Sequence, residues 1–120
     1  MLFGINNLTE KNKPKTNPSA REFATRRAAV AVVDRDAAGG EKTARELGGK
    51  GGAAKFFLAD LSHRAEVERL VPEIVSRFGG IDVLVNNAGI QRHGTVTTLS
   101  EEEWDEVMDV NLKSAFLMSK

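Results

Sequence analysis

Four stretches carry the residue types and spacings that could do chemistry. Asp34 directly follows a continuous apolar, β-branched run over residues 28–33. A carboxylate there can accept hydrogen bonds from the 2′- and 3′-hydroxyls of a ribose and repels a 2′-phosphate, or it can simply cap the turn or helix that follows. Asp60 closes a second apolar run containing Phe56, Phe57 and Leu58. It could accept the exocyclic amine of adenine, or cap a helix together with Ser62. Asn86, Asn87, Ala88 and Gly89 follow a third run, Asp82 to Val85. Two side-chain amides at a strand end can satisfy neighbouring backbone groups, and small Ala and Gly let a flat ligand lie against the main chain; an ordinary Asn/Gly turn is the other reading. Asn111 lies seven residues after Trp104, about 20° from it around a regular helix and on a stripe with Val107, Met108, Ala115 and Phe116. A polar side chain on a buried stripe must find partners.

Other chemistries are excluded or weak. The chain has no cysteine, so disulfides, thiolate metal sites and cysteine nucleophiles are out, and with no tyrosine one general acid is missing. His63 and His93 lack a metal-binding spacing and read as surface residues; no metal site is expected. Lys50 within the glycines at 48–52 imitates a phosphate cradle, but the Walker spacing and the following Ser or Thr are absent, so the stretch reads as a loop. Seventeen basic residues balance seventeen acidic ones, which argues against a nucleic-acid face. The apolar run at residues 1–5 is too short for a signal peptide, and nothing approaches the roughly 20 residues of a membrane span. A cytoplasmic location with no membrane partner is the expectation.

The elements that must hold these residues follow from the pattern. Residues 1–27 carry six bases against two acids. Within them, residues 6–19 read as a loop or disordered linker, with a basic arm for an acidic partner as the alternative. From residue 28 the order is regular: a buried-type strand at 28–33, a weak helix at 36–47 started by Asp36, a strand at 54–59, and a helix after Ser62. That helix repeats Val67, Leu70, Val71, Ile74, Val75 and Phe78 at helical spacing. Pro72 predicts a kink in it, and Gly79 and Gly80 its end. A strand at 81–85 follows, then a last helix opened by the Ser100 and Glu103 capping box. Strands alternating with helices predict βαβ units in an open parallel α/β sheet, whose ligands bind beyond the carboxyl ends of the strands. Asp34, Asp60 and residues 86–89 all fall on that edge.

Taken together, Val30-Ala31-Val32-Val33-Asp34, Ala59-Asp60-Leu61-Ser62, Asp82 through Asn86-Asn87-Ala88-Gly89-Ile90, and Trp104 through Val110-Asn111-Leu112 resemble the short-chain dehydrogenase/reductase family in order and spacing. The resemblance covers residues 28–120 and implies a Rossmann-type, doubly wound, three-layer sheet that is incomplete. It implies NAD(P)(H) as cofactor, hydride transfer between nicotinamide and a carbonyl or alcohol carbon, and the dimers or homotetramers common in the family. By that similarity Asp34 holds the adenosine ribose and favours NAD(H) over NADP(H), although Arg35 could receive a 2′-phosphate. Asp60 and Leu61 contact adenine, and Asn87, Ala88 and Gly89 line the cofactor. Asn111 is the catalytic asparagine whose backbone carbonyl holds a water. Residues 91–94 resemble those of polyol and sugar-acid dehydrogenases and of 3-oxoacyl-thioester reductases.

The departures define the remaining expectations. The family's first strand and TGxxxGxG turn have no match in residues 1–27, and without that strand the sheet has a gap between its second and fourth members. Residues 1–5 and 18–27 could occupy the places of strand and helix. The family's catalytic Ser and YxxxK lie beyond residue 120. The sequence is therefore expected to comprise an atypical N-terminal segment, residues 1–27, and a partial NAD(P)-binding domain, residues 28–120. It reads as a truncated family member inactive by itself, and the alternative is a non-catalytic α/β nucleotide-binding or interaction module.

Overall fold

The computed structural model describes residues 2–4, 18–49 and 53–120, and for 2–4 only the backbone. Of the expected loops at 6–19 and 48–52, residues 6–17 and 50–52 lie outside the described residues. The elements are β1 (Leu2–Gly4), α1 (Pro18–Thr25), β2 (Val30–Asp34), α2 (Ala37–Gly48), β3 (Ala54–Leu58), α3 (Arg64–Phe78), β4 (Leu84–Asn86), α4 (Glu101–Met108), a π-helical turn (Asp109–Lys113) and α5 (Ser114–Ser119).

The four strands form one parallel sheet in the order β3-β2-β1-β4. The central gap is therefore filled. β1 pairs Leu2 with Ala31 on one side and with Leu84 on the other. Its three residues could not stand as a strand alone; two parallel neighbours satisfy their backbone groups.

The pleat of β2 divides the core. Ala31 and Val33 join Phe57, Leu61, Val67, Leu70, Ile74 and Leu117 on one face, covered by α3 and α5. Val30 and Val32 join Ala20, Ala24, Ala44 and Leu47 on the other, covered by α1 and α2. Helices on both faces of a parallel sheet make the expected three-layer α/β architecture. All five residues of β2 are buried, as its apolar run demands. β3, at the sheet edge, departs from the expected fully buried strand: Phe57 is buried while Lys55 and Leu58 are exposed.

Local signals place the helix ends. Asp36 caps α2 by accepting from the Ala38 amide at 3.2 Å. Pro18 opens α1 at a position whose N–H has no helical partner anyway. Ser19, expected in the linker, lies in this helix. α1 ends in a Schellman arrangement with Ala28 N donating to Phe23 O and Arg27 N to Ala24 O, which forces Arg27 to φ 61°. α3 runs unbroken through Pro72 and stops at Gly79, whose φ of 84° suits glycine. Ser62 does not cap α3; His63 occupies the cap position without a side-chain bond, because the Ser62 hydroxyl is committed to Asp60. The Ser100–Glu103 capping box of α4 is formed in both directions.

Candidate cofactor site

Parallel pairing brings the carboxyl ends of the strands to one edge. Asp34 pairs with Leu58 in register, Gly4 with Asn86, and Ala59 N donates to Asp34 O at 3.2 Å. The residues singled out at the ends of three strands thus share an edge, where ligands of such sheets bind.

Asp34 is 2% exposed. Its Oδ1 accepts from the Asp36 amide at 2.9 Å. Burial pushes its carboxyl up to about 6; the Asp36 carboxylate adds to this, while the Asp36 and Arg35 amides and the Arg35 guanidinium work against it. A buried carboxylate is costly unless hydrogen-bond donors surround it. A ribose diol supplies two hydroxyls, so the residues present fit the adenosine half of a dinucleotide.

Asp60 sits in a tightly held turn. Its Oδ1 accepts from Ser62 N at 3.0 Å and from Ser62 Oγ at 2.6 Å, and its own amide donates to Glu66 Oε2 at 2.8 Å. Its Oδ2 lies 3.9 Å from Arg35 Nη1 and 3.8 Å from His63 Nδ1. Burial, the largest influence, opposes ionisation, but the Ser62 hydroxyl and amide with His63 and Arg35 outweigh it and hold the carboxyl below its ordinary value. Leu61 is 3% exposed and packs in the core, so only its backbone is available to a ligand.

At the end of β4, Asn86 Nδ2 donates to Ser119 Oγ at 3.3 Å and ties the strand to α5. Asn87 is exposed, Ala88 packs half-buried against the core, and Gly89 is half-buried. Ile90 follows, and its peptide groups are held by Asn111: Ile90 N donates to Asn111 Oδ1 at 2.7 Å and Asn111 Nδ2 donates to Ile90 O at 2.9 Å. Arg92 and Glu106 form an ion pair between the same loop and α4.

The helix carrying Asn111 is not the regular one assumed from its pattern. Residues 109–113 form a π turn, with Ser114 N bonding back to Asp109 O. The expected buried stripe is met only in part: Val107, Met108 and Ala115 are half-buried, but Trp104 is 56% and Phe116 60% exposed, and from the wider turn onward Val110, Ser114 and Leu117 face inward. Asn111 finds partners in the loop after β4, not in the core. A polar residue amid apolar ones was the only sign of this turn in the sequence. Glu66 gave a weaker one, an acid in the first turn of a helix.

The family model described as "short chain dehydrogenase" matches residues 17–120. The chain belongs to the short-chain dehydrogenase family. A D-threitol dehydrogenase of Mycolicibacterium smegmatis is 39% identical over 99 residues, 82% of this chain and 38% of the relative. A 3-oxoacyl-[acyl-carrier-protein] reductase of Staphylococcus aureus is 42% identical over 76 residues, 63% of this chain and 31% of the relative. Among solved structures, the 3-ketoacyl-(acyl-carrier-protein) reductase from Brucella melitensis complexed with NADH superimposes with TM-score 0.80 at 34% identity, covering 98% of this chain and 46% of that one. The chain spans about two fifths of the length of curated relatives such as the threitol dehydrogenase. Its Rossmann fold and its membership of an NAD(P)-dependent oxidoreductase family follow from these likenesses. Among the described residues, no helix is long and apolar enough to cross a membrane.

Proposed function

We propose that this chain provides the adenosine-binding half of an NAD(P)(H)-dependent short-chain oxidoreductase acting on carbonyl or alcohol groups in the cytoplasm, with NAD(H) favoured over NADP(H). β1 and α1 join residues 28–120 in this one unit, since β1 lies within the sheet and Ala20 and Ala24 within its core. The observation that carries the reading is Asp34: a carboxylate buried at the carboxyl end of β2, with its Oδ1 held by the Asp36 amide of the turn that follows. The carboxylate would accept from the adenosine ribose, and its charge would repel a 2′-phosphate. Asp60 and the Leu61 backbone would meet adenine, and Asn87, Ala88 and Gly89 would line the cofactor further along the edge.

When bound, the nicotinamide group supplies or takes up the hydride. Asn111 contributes through its structure. Its side chain is spent on Ile90, so it holds the loop after β4 and offers its backbone carbonyl, not its amide, to a water of the proton relay. With no tyrosine in the sequence, the general acid of the resembling family is missing. The 120 residues are therefore inactive by themselves. Residues 5–17, between β1 and α1, also contain no glycine to let backbone amides approach a pyrophosphate, so binding is weak. Purified chain mixed with NADH and carbonyl substrates such as an acetoacetyl thioester is expected to show no loss of absorbance at the nicotinamide band; measurable turnover overturns this.

A second reading has one observation in its favour. Trp104, Leu112 and Phe116 are exposed along the helix formed by α4, the π turn and α5. An interaction module would use that face to join a full-length subunit, and co-elution with one in size-exclusion chromatography would support it.

A further inference from the structure

Arg35 is the one residue beside Asp34 that could reverse its preference, because a guanidinium binds phosphate well and Arg35 follows directly on the ribose-facing carboxylate. Its position in the fold decides whether it is free to do so. Among the described residues its guanidinium has one ion-pair partner, Asp60, with Nη1 3.9 Å from Oδ2. Asp60 is poorly placed to yield. Its Oδ1 is occupied by the Ser62 amide and hydroxyl, and its backbone amide is fixed by Glu66. That leaves Oδ2 aimed at Arg35 and His63.

Resting on the adenosine reading above, we propose that Asp60 is a specificity-determining residue: it holds the Arg35 guanidinium toward β3 and away from the position of a ribose 2′-phosphate. Discrimination against the phosphorylated cofactor then has two separate sources. Asp34 repels the phosphate directly, and Asp60 competes with it for the Arg35 guanidinium. Glu66 and Ser62 act behind Asp60 as positioning residues. The Arg35 side chain is 41% exposed and that of Asp60 23%, so the pair is partly screened and its hold is modest.

Two small probes test this without the rest of the dinucleotide: 5′-AMP and adenosine 2′,5′-bisphosphate, titrated into the full 120-residue chain and followed by amide chemical shifts. The ratio of their affinities cancels any contact of Asp60 with adenine, which both probes share. Asp60→Asn keeps an oxygen for the Ser62 amide but loses the charge. It is expected to raise the relative affinity for the bisphosphate roughly three- to five-fold, the range of an exposed ion pair. In an Arg35→Gln background the same substitution is expected to leave the ratio unchanged. An unchanged ratio in Asp60→Asn, or an equal rise with and without Arg35, overturns the role of Asp60 while leaving the adenosine site standing. No shift with either probe in the unsubstituted chain overturns the adenosine site itself and this proposal with it.

Discussion

Asn111 and Ile90 are joined by a reciprocal pair of hydrogen bonds, 2.7 Å from Ile90 N to Oδ1 and 2.9 Å from Nδ2 to Ile90 O, across 21 residues of sequence. The pair locks the loop after β4 to the π turn between α4 and α5. Ile90 is 5% exposed, so water cannot easily replace the lost partner. Asn111→Ala leaves a buried donor and acceptor unpaired, at about 1–3 kcal/mol each. Urea unfolding is expected to show a loss of at least about 2 kcal/mol, and hydrogen exchange a marked deprotection of the Ile90 amide. Asn111→Asp, which keeps an acceptor for that amide, should preserve its protection better. Equal protection in all three proteins would show that the lock is not formed.

Asp34 sets stability against function. Its carboxyl lies near 6 in the folded chain against an ordinary 3.8. A raised folded value means the folded state binds the proton more tightly. The cost is thus absent below pH 3.8, develops as pH rises toward 6, and is complete above it, at roughly 3 kcal/mol. Asp34→Asn keeps an acceptor for the Asp36 amide and removes the charge. It is expected to stabilise the chain by about 1–3 kcal/mol at pH 8, with the gain fading toward pH 4 and adenosine binding weakened throughout. Asp60 works in the opposite sense. Its lowered carboxyl contributes stability that is present above the ordinary carboxylate range and lost as pH falls through its folded value. A chemical-denaturation series at several pH values, run on the parent and Asp34→Asn, checks the sign; destabilisation at pH 8 would contradict it.

Arg27 occupies a glycine's place. At φ 61° it closes α1, and a non-glycine residue in the left-handed region costs about 1 kcal/mol or more. No ion pair or side-chain hydrogen bond of Arg27 is formed among the described residues. Arg27→Gly is expected to raise the stability by up to about 1 kcal/mol, read as an increased urea midpoint at constant m.

Gly40 tests the seam between α2 and β3. A Cβ there would lie 2.1 Å from Phe56 Cε2 and 2.4 Å from Cδ2. Alanine improves helix propensity by about 1 kcal/mol, yet the ring must move. Gly40→Ala is expected to lower the stability by about 1–3 kcal/mol net, and Phe56→Leu in the same chain to recover part of it. A stabilised single mutant would mean that the two elements do not pack as described.

Much of this architecture is legible from local chemistry. The β-branched run of Val30, Val32 and Val33, the Asp36 cap and the Ser100–Glu103 box are each decided by residues within one turn or strand, so the pattern reads directly. β1 is different. Three residues of ordinary composition become a central strand only because β2 and β4 flank them; the gap in the pattern points to residues 1–5 as a candidate, but the pairing itself has a non-local cause. The Trp104 stripe misleads for a related reason. Counting at 100° per residue assumes a regular helix, and the π turn at Asp109–Lys113 shifts every later position. Asn111 itself stands out as a polar residue needing partners, but Ile90 as that partner is settled by the meeting of the β4 loop with the helix. Ser62 is a similar case: its hydroxyl had two possible acceptors, the helix start and Asp60, and the nearer carboxylate wins.

The central claim is that the carboxyl edge of β2, β3 and β4 holds the adenosine half of a nicotinamide dinucleotide. Amide chemical shifts of the isotopically labelled chain, titrated with NADH, test it most directly. Weak, saturable shifts are expected at Asp34, Arg35, Asp60, Leu61, Ala88 and Gly89, and they disappear in Asp34→Ala. No shift at these amides, or shifts confined to other parts of the chain and indifferent to Asp34, would contradict it.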